Sequence, residues 1–251
     1  FTGVNTLFTA LLNTRGFADL DFTSLRLTIG GGMAVQEAVA RQWKEVTGTT
    51  IIQGYGLTET SPTAIVVPLQ SEEFTGTIGL PIPSTEVRIC DDDGADVPLG
   101  DLGEICIRGP QVMEGYWQRP EETALVMLPG GWFRSGDIGR MDEGGFVYIE
   151  DRKKDMILVS GFNVYPNEIE GVVVEMDGVL EAAAIGIPNE RSGETVKLYV
   201  VKSDESVTAN DIVRYCRENL TGYKVPKEIE FRDDLPKTNV GKILRRELRE
   251  E

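Results

Sequence analysis

Four short clusters in this sequence hold residue types that could do chemistry. The first, residues 55–59, places Tyr55, Thr58 and Glu59 within five positions. A ring, a hydroxyl and a carboxylate suit a nucleotide, since they can stack on a base, contact a phosphate and hold a metal ion. The preceding apolar run predicts a strand, so the cluster is expected at a sheet edge, where α/β proteins bind ligands. A solvated turn is the alternative.

Two further clusters join a glycine to a charged side chain. In the Ser-Gly-Asp of residues 135–137, the Asp137 carboxylate could accept hydrogen bonds from a ribose diol, although Gly-Asp is also ordinary turn chemistry. In residues 236–243, Gly241 permits a tight backbone and is expected to place Lys242 at the start of a helix. A lysine there opposes the helix dipole, which points to a functional role, and a solvated lysine is the alternative.

The composition limits the chemistry that is available. The chain has 251 residues, no histidine and a net charge of −16. Without histidine, Ser-His-Asp and Cys-His catalysis and most zinc sites are excluded. The acidic balance argues against non-specific nucleic-acid binding and against a general electrostatic hold on anionic membranes. Anionic substrates must therefore meet locally placed cations, and the three isolated cysteines indicate buried thiols in a reducing cytoplasm.

The apolar pattern over the first part of the chain predicts two kinds of sheet. A helical stripe at 3–13 is followed by strand, helix and strand over 25–53, which predicts a parallel α/β layer ended by Gly54-Tyr55-Gly56. Short strands separated by Gly- and Asp-rich turns then predict a small β-barrel or curled sheet from about residue 85. These strands are expected at 86–90, 103–108 and 145–149.

The charged run at 151–155 marks a predicted boundary between domains 1–150 and 151–251. The second domain is expected to be a small α+β fold of about 100 residues. It includes the fourth cluster, residues 160–170, which is interpreted as a loop entering a capped helix with Pro166 in its first turn. Its predicted strands are 156–159, 182–187, 196–201 and 229–231, and its helical faces lie at 169–176, 212–220 and 243–248.

In their order and spacing, the clusters resemble the adenylate-forming superfamily, which contains acyl-CoA synthetases, luciferases and peptide-synthetase adenylation domains. The resemblance rests on Gly-Tyr-Gly-Leu-Thr-Glu, Trp-Phe-Arg-Ser-Gly-Asp, Asp-Arg-Lys-Lys-Asp and Pro-Lys-Thr-x-x-Gly-Lys, and it covers essentially the whole chain. Residues 131–154 resemble the fatty acyl-CoA synthetase signature. Residues 160–170 and 220–246 are most similar to bacterial long-chain fatty-acid–CoA ligases.

The resemblance implies a role for each candidate residue. Gly31 and Gly32 would let the backbone lie against adenine and the acyl group, and Gly56 is counted with them as nucleotide-binding. The remaining roles follow the path of the reaction: Tyr55 stacking on adenine, Thr58 on the α-phosphate, Glu59 on Mg²⁺, Asp137 and Arg152 on the ribose, Lys154 at the hinge of a mobile lid, Lys242 assisting adenylation, and Gly161 beside the pantetheine arm of CoA.

The implied activity is ATP-dependent conversion of a fatty acid to acyl-AMP, followed by transfer to CoA. An aryl- or medium-chain CoA ligase is the alternative within the family, and a non-catalytic nucleotide- or protein-binding module is the alternative outside it. Intact Glu59, Asp137 and Lys242 argue against the module. Arg134 replaces the histidine or aromatic residue often found there, and its effect is left open.

The family's Gly/Ser/Thr/Lys-rich phosphate loop is expected upstream and is absent from this sequence. The chain is therefore expected to be the C-terminal half of a ligase, to need the N-terminal part of the same chain as its partner, and to be inactive alone. The resemblance implies a cytoplasmic enzyme and leaves open a homodimer and a peripheral contact with the inner membrane face.

Overall fold

The chain forms two units, Phe1–Ile149 and Glu150–Glu251. The computed structural model describes residues 1–239 and 241–250. In that part of the chain, no helix is both long and apolar enough to cross a membrane.

The first sheet of the first unit has the order β1-β2-β3-β4-β5. β1 (Thr2–Gly3), β2 (Thr28–Gly31) and β3 (Ile51–Gly56) pair in parallel, and β4 (Thr63–Val66) and β5 (Leu80–Pro81) continue the sheet antiparallel. The helices α1 (Asn5–Leu12) and α2 (Glu37–Thr47) contribute Phe8 and Trp43 to its core. The Trp43 indole is almost fully buried, and its Nε1 donates to Thr28 Oγ1 at 3.2 Å, so its polar atom is satisfied.

Two predicted strand bounds in this sheet are wrong. β2 begins at Thr28 rather than at residue 25, and β3 runs through Gly54, Tyr55 and Gly56 instead of ending before them. The glycines do not stop β3 because β4 pairs alongside it, with Tyr55 opposite Ile65. A Cβ at Gly56 would lie 1.7 Å from the carbonyl oxygen of Pro62, so glycine here permits a close approach of two strands.

The second sheet is antiparallel, with the order β10-β9-β7-β6 and with β8 paired to β9. The order places β6 and β10 at opposite edges, so within the described residues the sheet does not close into a barrel. A helix, α3 (Pro120–Val126), precedes β8. The strands are β6 (Glu86–Cys90), β7 (Gly103–Arg108), β8 (Met127–Leu128), β9 (Trp132–Met141) and β10 (Val147–Arg152). The predicted bounds of β6 and β7 are confirmed, whereas β10 begins and ends later than predicted.

The two sheets of the first unit are joined at the outer edge of β10. Ile78 N donates to Val147 O and Val147 N donates to Gly79 O, both at 2.9 Å, which links β10 to the residues just before β5. Ile65, Ile105 and Val147 lie in one buried cluster with residues of both sheets. Strands from the two sheets are therefore held at fixed positions relative to each other.

The second unit is built on a third sheet, buried on both faces. One face of β13 (Val179–Asn189) and β14 (Gly193–Lys202) packs under α4 (Pro166–Val174) and α5 (Ala209–Asn219). The other face packs against Leu248 of α6 (Arg245–Arg249). The sheet order is β12-β11-β14-β13, with β15 parallel to β14, and its remaining strands are β11 (Ile157–Val159), β12 (Phe162–Val164) and β15 (Glu228–Arg232).

Two local predictions in the second unit are corrected. The helix near the C-terminus begins at Arg245, three residues after Lys242, so the argument from the helix dipole does not apply to that lysine. α4 has Pro166 at its start as predicted, but its N-cap residue, Tyr165, makes no side-chain capping bond. The carboxylate of Asp151 accepts from Asn167 N at 2.7 Å instead, so a residue distant in sequence serves the first turn.

The close approach at Gly56 predicts a strong effect of one methyl group. Gly56→Ala should lower the free energy of unfolding of the first unit by about 1–3 kcal/mol, because β3 and β4 must separate to admit a Cβ. Gly54→Ala, in the same strand, is the matched control, since its Cβ would meet only Ile29 Cγ2 at 3.8 Å. The fluorescence of buried Trp43 during urea unfolding measures both variants. Equal stability of the two would contradict the packing argument.

Candidate active site

The hydroxyl of Tyr55 donates to Asp137 Oδ2 at 2.6 Å, joining β3 of the first sheet to β9 of the second. Burial raises the pKa of Tyr55 well above its usual value, and the charge of Asp137 and the hydrogen bond raise it further. Glu59 contributes in the same direction through its charge. The phenol is therefore a neutral donor near pH 7, and the sequence-predicted residues Tyr55, Glu59 and Asp137 lie within one electrostatic neighbourhood.

A β-bulge presents Asp137. On β9, residues 135–137 lie between Arg134, which is opposite Cys106, and Ile138, which is opposite Glu104. Only one residue of β7 faces these three, and such bulges re-aim side chains beside functional sites. Gly136 has φ 75°, a left-handed conformation that glycine adopts without strain. The Ser-Gly-Asp signal is thus a bulge within a strand and not a free turn.

Arg134 supports this bulge, which gives a structural role to the residue whose effect the sequence left open. Its Nε lies 3.4 Å from Glu104 Oε2, and its Nη2 donates to the carbonyl oxygens of Asp91 and Asp92 at 2.8 and 2.9 Å. Glu104 is buried, and its Oε1 accepts from Gly136 N at 3.1 Å. Arg134 and Glu104 therefore hold the backbone that carries Asp137.

Glu59 lies on a short 3-10 helix, Thr58–Thr60, immediately after β3. Thr60 Oγ1 accepts from Leu57 N at 2.9 Å and donates to Pro62 O at 2.6 Å, which fixes this turn. Thr58 is exposed and Glu59 is half-buried. The hydroxyl of Tyr116 donates to Glu59 Oε1 at 2.8 Å. Sequence reasoning missed Tyr116, and no local pattern links positions 57 residues apart.

The chemistry of this region fits a magnesium–nucleotide complex better than a metal held by protein alone. Among the described residues, no group of three or more His, Cys, Asp or Glu side chains could enclose a metal ion. Glu59 provides a single carboxylate with one oxygen engaged by Tyr116. Mg²⁺ at phosphate sites takes one or two carboxylates and completes its shell with phosphate oxygens and water. Glu59 could therefore hold Mg²⁺ that arrives with a phosphate ligand.

The glycines predicted to approach a nucleotide are required by the protein's own backbone. A Cβ at Gly31, the last residue of β2, would lie 2.9 Å from the carbonyl oxygen of Gly54. Gly32 follows with φ 79°. Close backbone contact at Gly31 and the positive φ at Gly32 explain why both positions hold glycine, as strand packing does at Gly56. The nucleotide-binding roles of all three glycines remain predictions.

In the second unit, Lys242 and Gly161 lie on two separate hairpins. The arms on either side of the turn before Lys242 are closed by Thr238 N donating to Lys242 O at 2.8 Å and by a β-bridge between Lys237 and Ile243. The Lys242 side chain is exposed. Gly161, with φ 83°, occupies the exposed turn between β11 and β12, and a Cβ there would have nothing within 4 Å.

Arg245 is the centre of a buried ionic network near Lys242. Its guanidinium pairs with Glu170 through two bonds of 2.9 and 2.7 Å and donates to Asn167 Oδ1 at 2.6 Å. Asp155 and Asp151 lie 3.4 and 3.6 Å away. The network thus joins the start of α6 to α4 and to the end of β10. It was not predicted, because Arg245 is 75 to 94 residues away from its partners along the chain.

Two further residues predicted from the sequence, Arg152 and Lys154, lie in or beside this network. Arg152 pairs with Asp155, and Lys154 lies beside it on the 3-10 helix Lys153–Asp155. Burial would raise the pKa of Asp155, but the guanidinium groups of Arg152, Arg245 and Arg249 together lower it. Burial raises the pKa of Asp151 to about 6, against the opposing charge of Arg245. Arg152 is therefore engaged within its own unit, and its predicted ribose contact remains a prediction.

Comparison with known proteins assigns both units to one family. The AMP-binding enzyme family matches residues 1–117, and the AMP-binding enzyme C-terminal domain matches residues 168–242. Long-chain-fatty-acid–CoA ligase from Yersinia pestis is 62% identical over 250 residues, which are 100% of this chain and 44% of that protein. Feruloyl-CoA synthase from an Amycolatopsis species is 41% identical, over 98% of this chain and 50% of that protein. This chain thus spans about half the length of these relatives.

A solved structure agrees with the fold. ATP-bound MatB from Rhodopseudomonas palustris superposes with a TM-score of 0.91 at 36% identity, covering 99% of this chain and 50% of that one. The mixed sheet and the antiparallel sheet of the first unit therefore follow an architecture already seen in a nucleotide-bound protein.

The Arg245 network predicts a pH-dependent defect. Arg245→Met should lower the stability of the second unit by about 3–5 kcal/mol at pH 7, because three buried carboxylates lose their shared cation. Arg245 lowers the pKa of Asp151 and of Asp155, so without it both pKa values rise, acidification protonates these two groups, and the deficit relative to the wild type shrinks as pH falls. All three tryptophans precede residue 150, so hydrogen exchange of β13 and β14 amides is the suitable measurement.

Arg246→Met is the matched control for this experiment. The Arg246 side chain is 84% exposed and pairs only with Glu250 among the described residues, so its loss should change stability by no more than about 0.5 kcal/mol. A deficit in Arg245→Met that does not depend on pH would show that lost packing, and not unpaired charge, causes it.

Proposed function

Because this chain belongs to the family of AMP-binding, adenylate-forming enzymes, we propose that it is the C-terminal part of a long-chain fatty-acid–CoA ligase. The observation that carries the nucleotide site is the partly buried bond between Tyr55 and Asp137, close to Glu59 at the end of β3. The observation that carries the substrate class is 62% identity over the whole chain to a long-chain-fatty-acid–CoA ligase.

The proposed reaction has two steps. A carboxylate oxygen of the fatty acid attacks the α-phosphorus of ATP, and the bond to pyrophosphate breaks to leave acyl-AMP. The thiol of CoA then attacks the acyl carbonyl, forming the thioester and breaking the bond to AMP. The first step brings two anions together, so cations must offset their repulsion and stabilise the charge of the transition state.

In the first unit, the proposed roles concern binding of the nucleotide. The Tyr55 ring provides a face for adenine, and its hydroxyl holds the Asp137 carboxylate in place. The Asp137 carboxylate is an acceptor that suits the ribose hydroxyls, and exposed Thr58 can donate to the α-phosphate. Glu59 would hold Mg²⁺, which when bound supplies positive charge to the phosphates.

In the second unit, the proposed roles concern the two steps in turn. Lys242 is exposed, and three residues further along the chain Arg245 anchors this segment to α4 through Glu170. We assign Lys242 to the adenylation step. Gly161, on another exposed turn, has open space where a side chain would be, and we assign it to passage of the pantetheine arm. We propose that the second unit rotates about Lys154 to present them in succession.

The similarity values favour a fatty-acid substrate over an aromatic one. Identity to the long-chain ligase of Yersinia pestis is 62%, against 41% for the feruloyl-CoA synthase. The proposal also requires an upstream segment of the same chain that supplies the phosphate loop and the rest of the acyl pocket.

Pyrophosphate release tests the proposed substrate class. The longer protein that carries this chain should release pyrophosphate with palmitate or oleate at a higher kcat/KM than with hexanoate, benzoate or ferulate. The 251 residues alone should release none, because backbone amides of a phosphate loop are needed to hold the β- and γ-phosphates. A preference for an aromatic acid, or exchange by the 251 residues alone, would reject the corresponding part of the proposal.

Two variants separate the half-reactions in the longer protein. Lys242→Ala should slow acyl-AMP formation by about 10²–10³, since one cation is lost from the developing charge. It should spare thioester formation from supplied acyl-AMP. Gly161→Leu should slow thioester formation and spare adenylation. Lys227→Ala, an exposed lysine of the same unit, is the control and should affect neither step.

The assays are ATP–pyrophosphate exchange for the first step and thioester formation from synthetic acyl-adenylate for the second. If Lys242→Ala and Gly161→Leu each lose both steps equally at unchanged melting temperature, one fixed site must serve both reactions. The proposed succession of two arrangements would then be wrong.

A further inference from the structure

Tyr116 is an unassigned residue in direct contact with the proposed metal ligand. Its hydroxyl donates to Glu59 Oε1 at 2.8 Å. The side chain is 36% exposed and lies in the segment between β7 and α3. Glu59 could rotate freely on a short surface helix, but this bond restricts its carboxylate to one orientation.

The backbone on both sides of this contact is fixed. Met113 N donates to the carbonyl oxygen of Glu59 at 2.8 Å, so the Tyr116 segment contacts the main chain of Glu59 as well as its side chain. Tyr116 N donates to Thr123 Oγ1 at 2.9 Å, and that hydroxyl donates to Arg119 O at 2.8 Å at the start of α3. A Cβ at Gly115 would lie 2.7 Å from Thr123 Cγ2, so this anchor also requires a glycine.

The chemistry of the pair suits a donor–acceptor contact, because the phenol hydroxyl can donate a hydrogen bond and the Glu59 carboxylate oxygen can accept it. A carboxylate has about four lone-pair positions, so one hydrogen bond on Oε1 leaves Oε2 free for another partner.

We propose that Tyr116 is a positioning residue for Glu59, committing one carboxylate oxygen to itself so that the other is oriented to bind the Mg²⁺ that accompanies ATP. The proposal rests on the proposed function, because it takes Glu59 as the metal ligand. Residues that hydrogen-bond a metal ligand fix its orientation, and their loss typically weakens metal affinity or activity 10- to 100-fold.

The competing interpretation is that Tyr116 only tethers its own segment to the end of β3. If Tyr116 is only a tether, its loss should lower the stability of the unit and weaken the binding of ATP both with and without metal. A positioning residue would change the response to Mg²⁺ and leave stability and metal-free nucleotide binding unchanged. The two interpretations therefore differ in whether loss of the Tyr116 hydroxyl changes the Mg²⁺ response alone or changes stability and nucleotide binding as well.

Tyr116→Phe removes the hydroxyl and keeps the ring. In the longer protein, the Mg²⁺ concentration that gives half-maximal enhancement of ATP binding should rise about 10- to 100-fold. The affinity for ATP in EDTA and the melting temperature should match the wild type. Mn²⁺ bound in the presence of ATP, measured by electron paramagnetic resonance, provides a readout independent of turnover and should weaken by the same factor.

Tyr148→Phe is the matched control, since it removes another tyrosine hydroxyl that donates to a carboxylate, Asp142 Oδ2 at 3.2 Å, in the same unit. It should leave every one of these measurements unchanged. In Glu59→Gln, addition of Tyr116→Phe should cause no further loss of Mg²⁺ response, because the residue acts through Glu59.

The outcomes distinguish this proposal from the proposed function. An unchanged Mg²⁺ response in Tyr116→Phe, or an equal loss of ATP affinity with and without metal, overturns the positioning role while the ligase activity of the wild type stands. If the wild type activates no carboxylate but binds Mg²⁺–ATP, the ligase function falls, and the metal titrations still decide the role of Tyr116. If the wild type shows no metal-dependent ATP binding, both proposals fall.

Discussion

The first unit depends on the hydrogen bond between Tyr55 and Asp137. It connects the end of β3 in the first sheet with the bulge of β9 in the second. A phenol and a carboxylate brought out of water are costly unless they satisfy each other, so the pair is tolerated only where the surrounding strands fix both partners. Neighbouring residues fix the backbone of both partners. Arg134 and Glu104 hold the bulge that carries Asp137, and pairing with β4 holds the part of β3 that carries Tyr55.

In the second unit, the main electrostatic feature is a positive charge kept exposed within an acidic protein. The chain has 25 lysines and arginines against 41 aspartates and glutamates, so most cations are expected to have acidic neighbours. The Arg245 side chain is only 10% exposed and is engaged by carboxylates, and it anchors the segment that begins just after Lys242. Lys242 remains exposed on its hairpin. Arg245 stabilises the segment through its ion pairs, and Lys242 provides an exposed positive charge on that segment.

Residue type and spacing along the sequence indicate candidate site residues but not the contacts between them. Tyr55, Glu59 and Asp137 were each identified by type and spacing, but the bond between Tyr55 and Asp137 spans 82 residues and has no local signature. The same limit applies to Tyr116 and Arg245. Strand bounds were predicted where turns of Gly and Asp flank them, as for β6 and β7. They were wrong at β3, where pairing with β4 outweighs the local preference of two glycines to end a strand.

The proposed function requires that this chain complete a site for a long-chain acyl-adenylate. Equilibrium binding of stable acyl-adenylate analogues to the longer protein tests it most directly, with acyl groups from benzoyl through octanoyl to hexadecanoyl. Burial contributes about 0.8 kcal/mol per CH₂, so affinity should rise by about tenfold for every two CH₂ groups that become buried between octanoyl and hexadecanoyl. Asp137→Asn should weaken all analogues by a similar factor. Affinity that is independent of chain length, or unchanged by Asp137→Asn, would contradict the account.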